Sequence, residues 1–230
     1  MTNYILVIAV TVLIVILIIA YMAMVGFARP RTDKYVIKGM VVNVISDFDN
    51  RDDAVRIMIE CNSRVVRLLD YLRKKYKIGI PDEECKGKCA KWLKDHHQTR
   101  EIVRHLLRDF NYEEIHEHRP NAGSQSVAYS LDKGKTIMLC LRGIEDPHKI
   151  VEIDVLMFVI LHEASHIANY DEWGHKTKFW SIFKYLLEES TRIGIYVPID
   201  YSHKPQNYCG FYLNHNPLYD SRIETLDTKK

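Results

Sequence analysis

An α+β fold is what this sequence predicts: an apolar N-terminal helix, then a domain in which a small antiparallel sheet packs on a buried helix. Three observations carry the prediction. Residues 1–28 contain no Asp, Glu, Lys or Arg, in a chain with 32 basic and 30 acidic residues. Residues 126–142, SVAYSLDKGKTIMLCLR, hold two strand-like runs around a turn signal. Residues 160–180, ILHEASHIANYDEWGHKTKFW, read as helix, turn and helix with three histidines among them.

The stretch from Ile5 to Ala28 is almost wholly apolar. At about 1.5 Å per residue a helix over it reaches roughly 36 Å, enough to cross a hydrocarbon core of about 30 Å. A core helix of that length would show a polar face. A signal peptide would carry a basic start and a shorter apolar run. The expectation is therefore a transmembrane anchor over residues 1–28, touching the membrane through residues 5–28. Arg29, Arg31 and Lys34 follow it, whereas Met1 to Tyr4 has no basic side chain. By the positive-inside rule this is a single-pass protein with a cytoplasmic C-terminal domain. Residues 29–52 are expected as a polar connector with a β-like run, KYVIKGMVVNVI. Residues 53–230 form the domain, with its core at 126–190.

A net charge of +2 gives no clear sign of nucleic-acid binding. The five cysteines are Cys61, Cys85, Cys89, Cys140 and Cys209. An odd number argues against a complete disulfide framework and fits a reducing compartment. Cys85 and Cys89 have no second Cys or His pair at zinc-finger spacing, so CKGKC is expected as a solvated loop with two free thiols.

Along the domain, Ala54 to Lys77 repeats its apolar residues at three and four positions. Val55, Ile59, Val66, Leu69 and Leu72 face inward, and the outer face is basic. A second helix spans Cys89 to Phe110, with Trp92, Ile102, Val103, Leu106 and Leu107 inward. His96, His97 and His105 are expected there as ordinary surface or core residues. The hairpin turns at Asp132-Lys133-Gly134-Lys135. Asp146-Pro147 or Asp154 opens the next helix. Its sequence, IDVLMFVILHEASHIA, is apolar round nearly the whole circumference, so it is buried.

That helix carries His162, Glu163 and His166, which spell H-E-x-x-H. Residues four apart are offset by about 400°, so the two imidazoles share a face and can meet one ion. Glu163 lies about 100° round, where it can reach a water on that ion without ligating it. Zinc takes imidazole nitrogens at about 2.0–2.1 Å, and a catalytic zinc keeps three protein ligands and an open position. His175 would lie about 180° from His166 if the helix simply continued. NYDEWG between them supplies turn residues. HKTKFWSIFKYLLEES then starts an amphipathic helix with Phe179, Trp180, Phe183, Leu186 and Leu187 inward. Helix, turn, His and helix can thus return His175 to the ion. Glu172, Glu188, Glu189, His203 and His215 are the other candidates for the third ligand.

On these residues the chain resembles the WLM and SprT-like zinc metallopeptidases. LHEASHIANYDEWGHKTKFW is similar to their zinc helix followed by a third His in a pattern close to H-x-x-x-F-W. KTIMLCLR matches the strand usually found ahead of that helix. The resemblance covers roughly residues 126–189. It implies a zincin-like domain in which His162, His166 and His175 hold Zn2+ and Glu163 is the catalytic base.

The function expected is that of a membrane-anchored zinc metallopeptidase. It would cut a protein or peptide substrate through a zinc-activated water. An inactive membrane-bound scaffold and a zinc hydrolase of a non-peptide bond are the alternatives. In the Tyr-rich tail, Tyr201, His203 and Tyr208 are candidates to support an oxyanion, against the plainer reading of a packed cover.

Overall fold

The computed structural model describes residues 4, 7–8, 10–18, 31–119, 127–143 and 146–226. It divides into two units, Met1–Arg31 and Thr32–Lys230. In the first unit residues 4, 7–8 and 10–18 are helical. Among the described residues no helix is long and apolar enough to cross a membrane. This overturns the expected transmembrane anchor, the single-pass placement and the sidedness drawn from Arg29, Arg31 and Lys34. Residues 5–6, 9 and 19–28 of the expected span lie outside the described residues.

The second unit runs β1 (Thr32–Ile37), β2 (Met40–Ile45), α1 (Arg51–Lys75), α2 (Lys88–Asp95), α3 (His97–Asp109) and β3 (Glu114–Glu117). There follow β4 (Ala128–Leu131), β5 (Thr136–Leu139), α4 (Ile153–Ala168), α5 (Thr177–Arg192), β6 (Gln206–Tyr208) and β7 (Phe211–Leu213). The run expected within a connector is itself a hairpin. Lys38 and Gly39 close it with φ of 51° and 86°, the two positive values that a tight primed turn demands.

Five strands form one sheet in the order β1-β2-β3-β5-β4. The β1–β2 and β4–β5 pairs are antiparallel, but β2–β3 and β3–β5 are parallel. The fold is α+β as expected, yet its sheet is mixed rather than antiparallel. The reason is the long crossover through α1, α2 and α3, which brings the chain back to the start of β3 in the direction of β2. The β4–β5 hairpin turns where the sequence signals it. Gly134 is fixed there twice over: its φ is 101°, and a Cβ would come within 2.5 Å of the Asp109 carbonyl oxygen.

α1 begins three residues earlier than expected and buries Met58, Cys61, Val65, Leu68 and Leu72, while Ile59 and Val66 stay half-buried. The second helix is two helices. His96 interrupts it, stacking on Trp92 at 4.3 Å with its Nδ1 2.8 Å from the Trp92 carbonyl oxygen. α4 starts at Ile153 with Asp154 in its first turn, so Asp146-Pro147 lies in the preceding loop. From Val155 to Ala168 it is buried almost all round. Its neighbours are α3, α5, α1 and the β4–β5 hairpin.

The cysteines depart from expectation. Cys85–Cys89 and Cys140–Cys209 are disulfide-bonded, with Cα separations of 5.4 and 6.3 Å that suit such a bridge. Only Cys61 is a free thiol, and it is buried. The odd count thus left room for two bridges and one core residue. The second bridge ties the end of β5 to the β6–β7 turn. A buried ion pair closes the same side of the sheet: Arg142 bonds Glu117 and donates twice to Asn50 Oδ1, and Glu117 accepts from the Ile45 amide.

Candidate metal centre

α4 presents His162 and His166 on one face, as a four-residue spacing requires. It ends at Asn169, whose side-chain amide donates to the Glu172 carbonyl at 3.1 Å. Asp171 pairs with Lys178 at 2.5 Å across the turn. Gly174 takes a φ of 80° immediately before His175. The Trp180 indole N–H donates to the His175 carbonyl at 3.0 Å. These bonds reverse the chain and set His175 back over α4.

The three Nε2 atoms form a nearly equilateral triangle, with edges of 3.2, 3.1 and 3.1 Å. Phe179 is its floor: the buried ring lies 4.9, 4.3 and 4.6 Å from the centroids of His162, His166 and His175. The F and W of HKTKFW therefore have separate tasks, one beneath the imidazoles and one on the backbone of the turn.

The triangle has a consequence for protons. Each Nε2 is either a donor or an acceptor. Three of them in a ring cannot alternate, so at least one pair must set two N–H groups or two lone pairs against each other. A central cation removes the conflict, because all three nitrogens then turn lone pairs toward it. Three nitrogens at about 2.0–2.1 Å from a tetrahedral ion would be about 3.3 Å apart, close to the edges observed. The set therefore fits zinc. Among the described residues these three side chains are the group whose ligand atoms lie close enough to share an ion, all within 4.8 Å.

Electrostatics points the same way. Burial, then the neighbouring imidazoles, pulls His162 down to about 3 and His166 to about 4. Burial also lowers His175. All three are therefore neutral near pH 7, the state in which imidazole binds a metal. Glu163 is buried beside them, and burial pushes its carboxyl up to about 7 against a hydrogen bond from the Ser130 backbone on β4.

The other candidates lie elsewhere. Glu172 contributes its carbonyl to the turn. Glu188 accepts from Thr225 at 2.7 Å. Glu189 is buried between Lys75 and Arg192. His203 is exposed and bonded to Asp200 at 2.8 Å. Tyr201 is packed in the core against Phe158, and the buried Tyr208 hydroxyl accepts from the Cys140 amide. None of these enters the triangle. His215 is also outside it, but its ring meets Trp180 at 5.5 Å. The places of Phe179 beneath the imidazoles and of Ser130 against Glu163 were not read from the sequence; only the F-W pair left a signal.

No protein-family model matches the chain. It is 28% identical over 207 residues to uncharacterized protein R325 of Acanthamoeba polyphaga mimivirus, covering 88% of this chain and 94% of that protein. Over 85 residues it is 35% identical to uncharacterized protein 136R of Invertebrate iridescent virus 6, covering 36% and 44% of the two. Among solved structures, a Wss1 mutant from Saccharomyces cerevisiae aligns with a TM-score of 0.43 at 18% identity, over 66% of this chain and 89% of that one. A likeness at that score carries no argument about this chain.

Proposed function

We propose that this protein is a zinc-dependent metallopeptidase. The single observation that carries the reading is the triangle of neutral imidazoles with a buried carboxylate on the same helix. The resemblance of residues 161–180 to the WLM and SprT-like pattern supports it. His162, His166 and His175 would hold the ion. Zinc bound there supplies Lewis acidity to a scissile carbonyl and brings the pKa of a water toward about 7. Glu163 takes the proton of the attacking water and passes it to the leaving amine. The Ser130 backbone holds that carboxylate in place from β4. The exposed His175 marks the side on which the centre opens to a substrate.

The test is Glu163→Gln in the full chain, with fluorescently labelled casein as substrate. The variant keeps about one zinc per chain, because Glu163 is not a ligand. Its turnover falls by about 100-fold or more, the usual contribution of a general base. Equal turnover in the two proteins would remove Glu163 from the chemistry. A zinc-loaded wild-type chain without turnover would leave a metal-binding scaffold.

A further inference from the structure

The C-terminal strap follows one stripe of α5, the stripe Trp180, Lys184 and Glu188 at successive four-residue steps. His215 meets Trp180 edge-on at 5.5 Å. Lys184 Nζ donates to the Asp220 and Ile223 carbonyls at 3.0 and 2.8 Å. Thr225 donates to Glu188. The strap therefore has a direction, and His215 stands at the N-terminal end of α5, the end that adjoins His175. Trp180 also faces His175, at 5.8 Å between ring centres. These two steps put the His215 and His175 rings within about 11 Å, the span of about three residues of extended peptide.

His215 is held as a placed side chain would be. The next residue, Asn216, is buried and fixed by three hydrogen bonds. It donates to the Tyr196 hydroxyl at 3.1 Å and the Ile199 carbonyl at 2.8 Å, and accepts from the Leu218 amide at 3.0 Å. Asp220 lies 4.0 Å from His215 Nε2. Arg222 bonds that carboxyl through its side chain and backbone, which keeps it well below the usual carboxylate range. Yet the His215 side chain remains 39% exposed. A ring set on an anchored backbone, with a carboxylate 4.0 Å from its Nε2 and part of its surface still open to solvent, is available to a ligand.

We infer that His215 is a substrate-binding residue, donating a ring N–H to a main-chain carbonyl of the bound peptide on the Trp180 side of the metal centre. The inference rests on the metallopeptidase reading and adds to it the residue that orients the chain. Isothermal titration of the zinc-loaded protein separates the two. Acetohydroxamate chelates the metal alone. Two tripeptide hydroxamates, one extending to each side of the metal, probe the flanking subsites. In His215→Ala one of the two tripeptide probes binds about tenfold more weakly, the worth of one hydrogen bond. The other tripeptide and acetohydroxamate stay within twofold, and the zinc content is unchanged. His215→Gln, which keeps a donor, restores most of the loss. His203→Ala, a histidine of the same tail bonded to Asp200, changes nothing. Unaltered binding of both tripeptide probes would overturn the inference. So would loss of zinc in His215→Ala, since His215 would then support the centre instead of the substrate. A wild-type chain that binds no zinc would sink the metallopeptidase reading first, by a different signal.

Discussion

Two helices of this domain carry histidines, and they use them differently. On α3, His97 is exposed and His105 stacks on Tyr170 at 3.6 Å, with Asp109 one turn along. On α4, His162 and His166 meet each other and a third ring from beyond the turn. Histidine number does not separate the two. The difference lies in what surrounds the rings: α4 is buried nearly all round, and the turn after it is pinned by Asn169, Lys178 and Trp180. Tyr170 belongs to that same turn, so the α3 histidine braces the structure that the α4 histidines need.

Metal removal tests this contrast with the largest expected effect. Stripping zinc with a chelator should lower the melting temperature of the wild-type chain by about 8 °C or more. A site held at about 1,000 times its Kd adds about 4 kcal/mol, and each kcal/mol moves a domain of this size by about 2–4 °C. His162→Ala should melt at the same temperature with or without the chelator. A chelator shift that persists in His162→Ala would place the metal elsewhere.

The smaller effect belongs to α3. His105→Ala removes a ring stacked on the turn but no proposed ligand. It should keep its zinc and lower the melting temperature by about 6 °C at most, since an aromatic pair contributes about 0.5–1.5 kcal/mol and each kcal/mol moves the midpoint by about 2–4 °C. Loss of zinc in this variant would mean that α3 takes part in the centre directly.

Much of the site was legible because its pattern is local. A four-residue spacing places two imidazoles on one helical face, and NYDEWG followed by an amphipathic run foretells the reversal that returns His175. What escaped depends on contacts between distant segments. The parallel pairing of β2 with β3 joins Val42 to Ile115 across three helices, and no local periodicity encodes it. The break at His96 comes from a ring folding back onto Trp92 inside an otherwise helical pattern. Cys140 and Cys209 are partners because the β6–β7 turn lies against the end of β5. The apolar run at residues 5–28 was misleading for the opposite reason: composition allows a span, whereas among the described residues no helix is long and apolar enough to cross a membrane.

The proposed metal centre needs three imidazoles, and not the H-E-x-x-H pair alone. Elemental analysis of zinc per chain in the wild type, His175→Ala and His105→Ala addresses it directly. About one zinc is expected in the wild type and in His105→Ala, and a large loss in His175→Ala, because His175 completes the three-ligand set. Full zinc occupancy in His175→Ala would contradict it and return the third position to another residue.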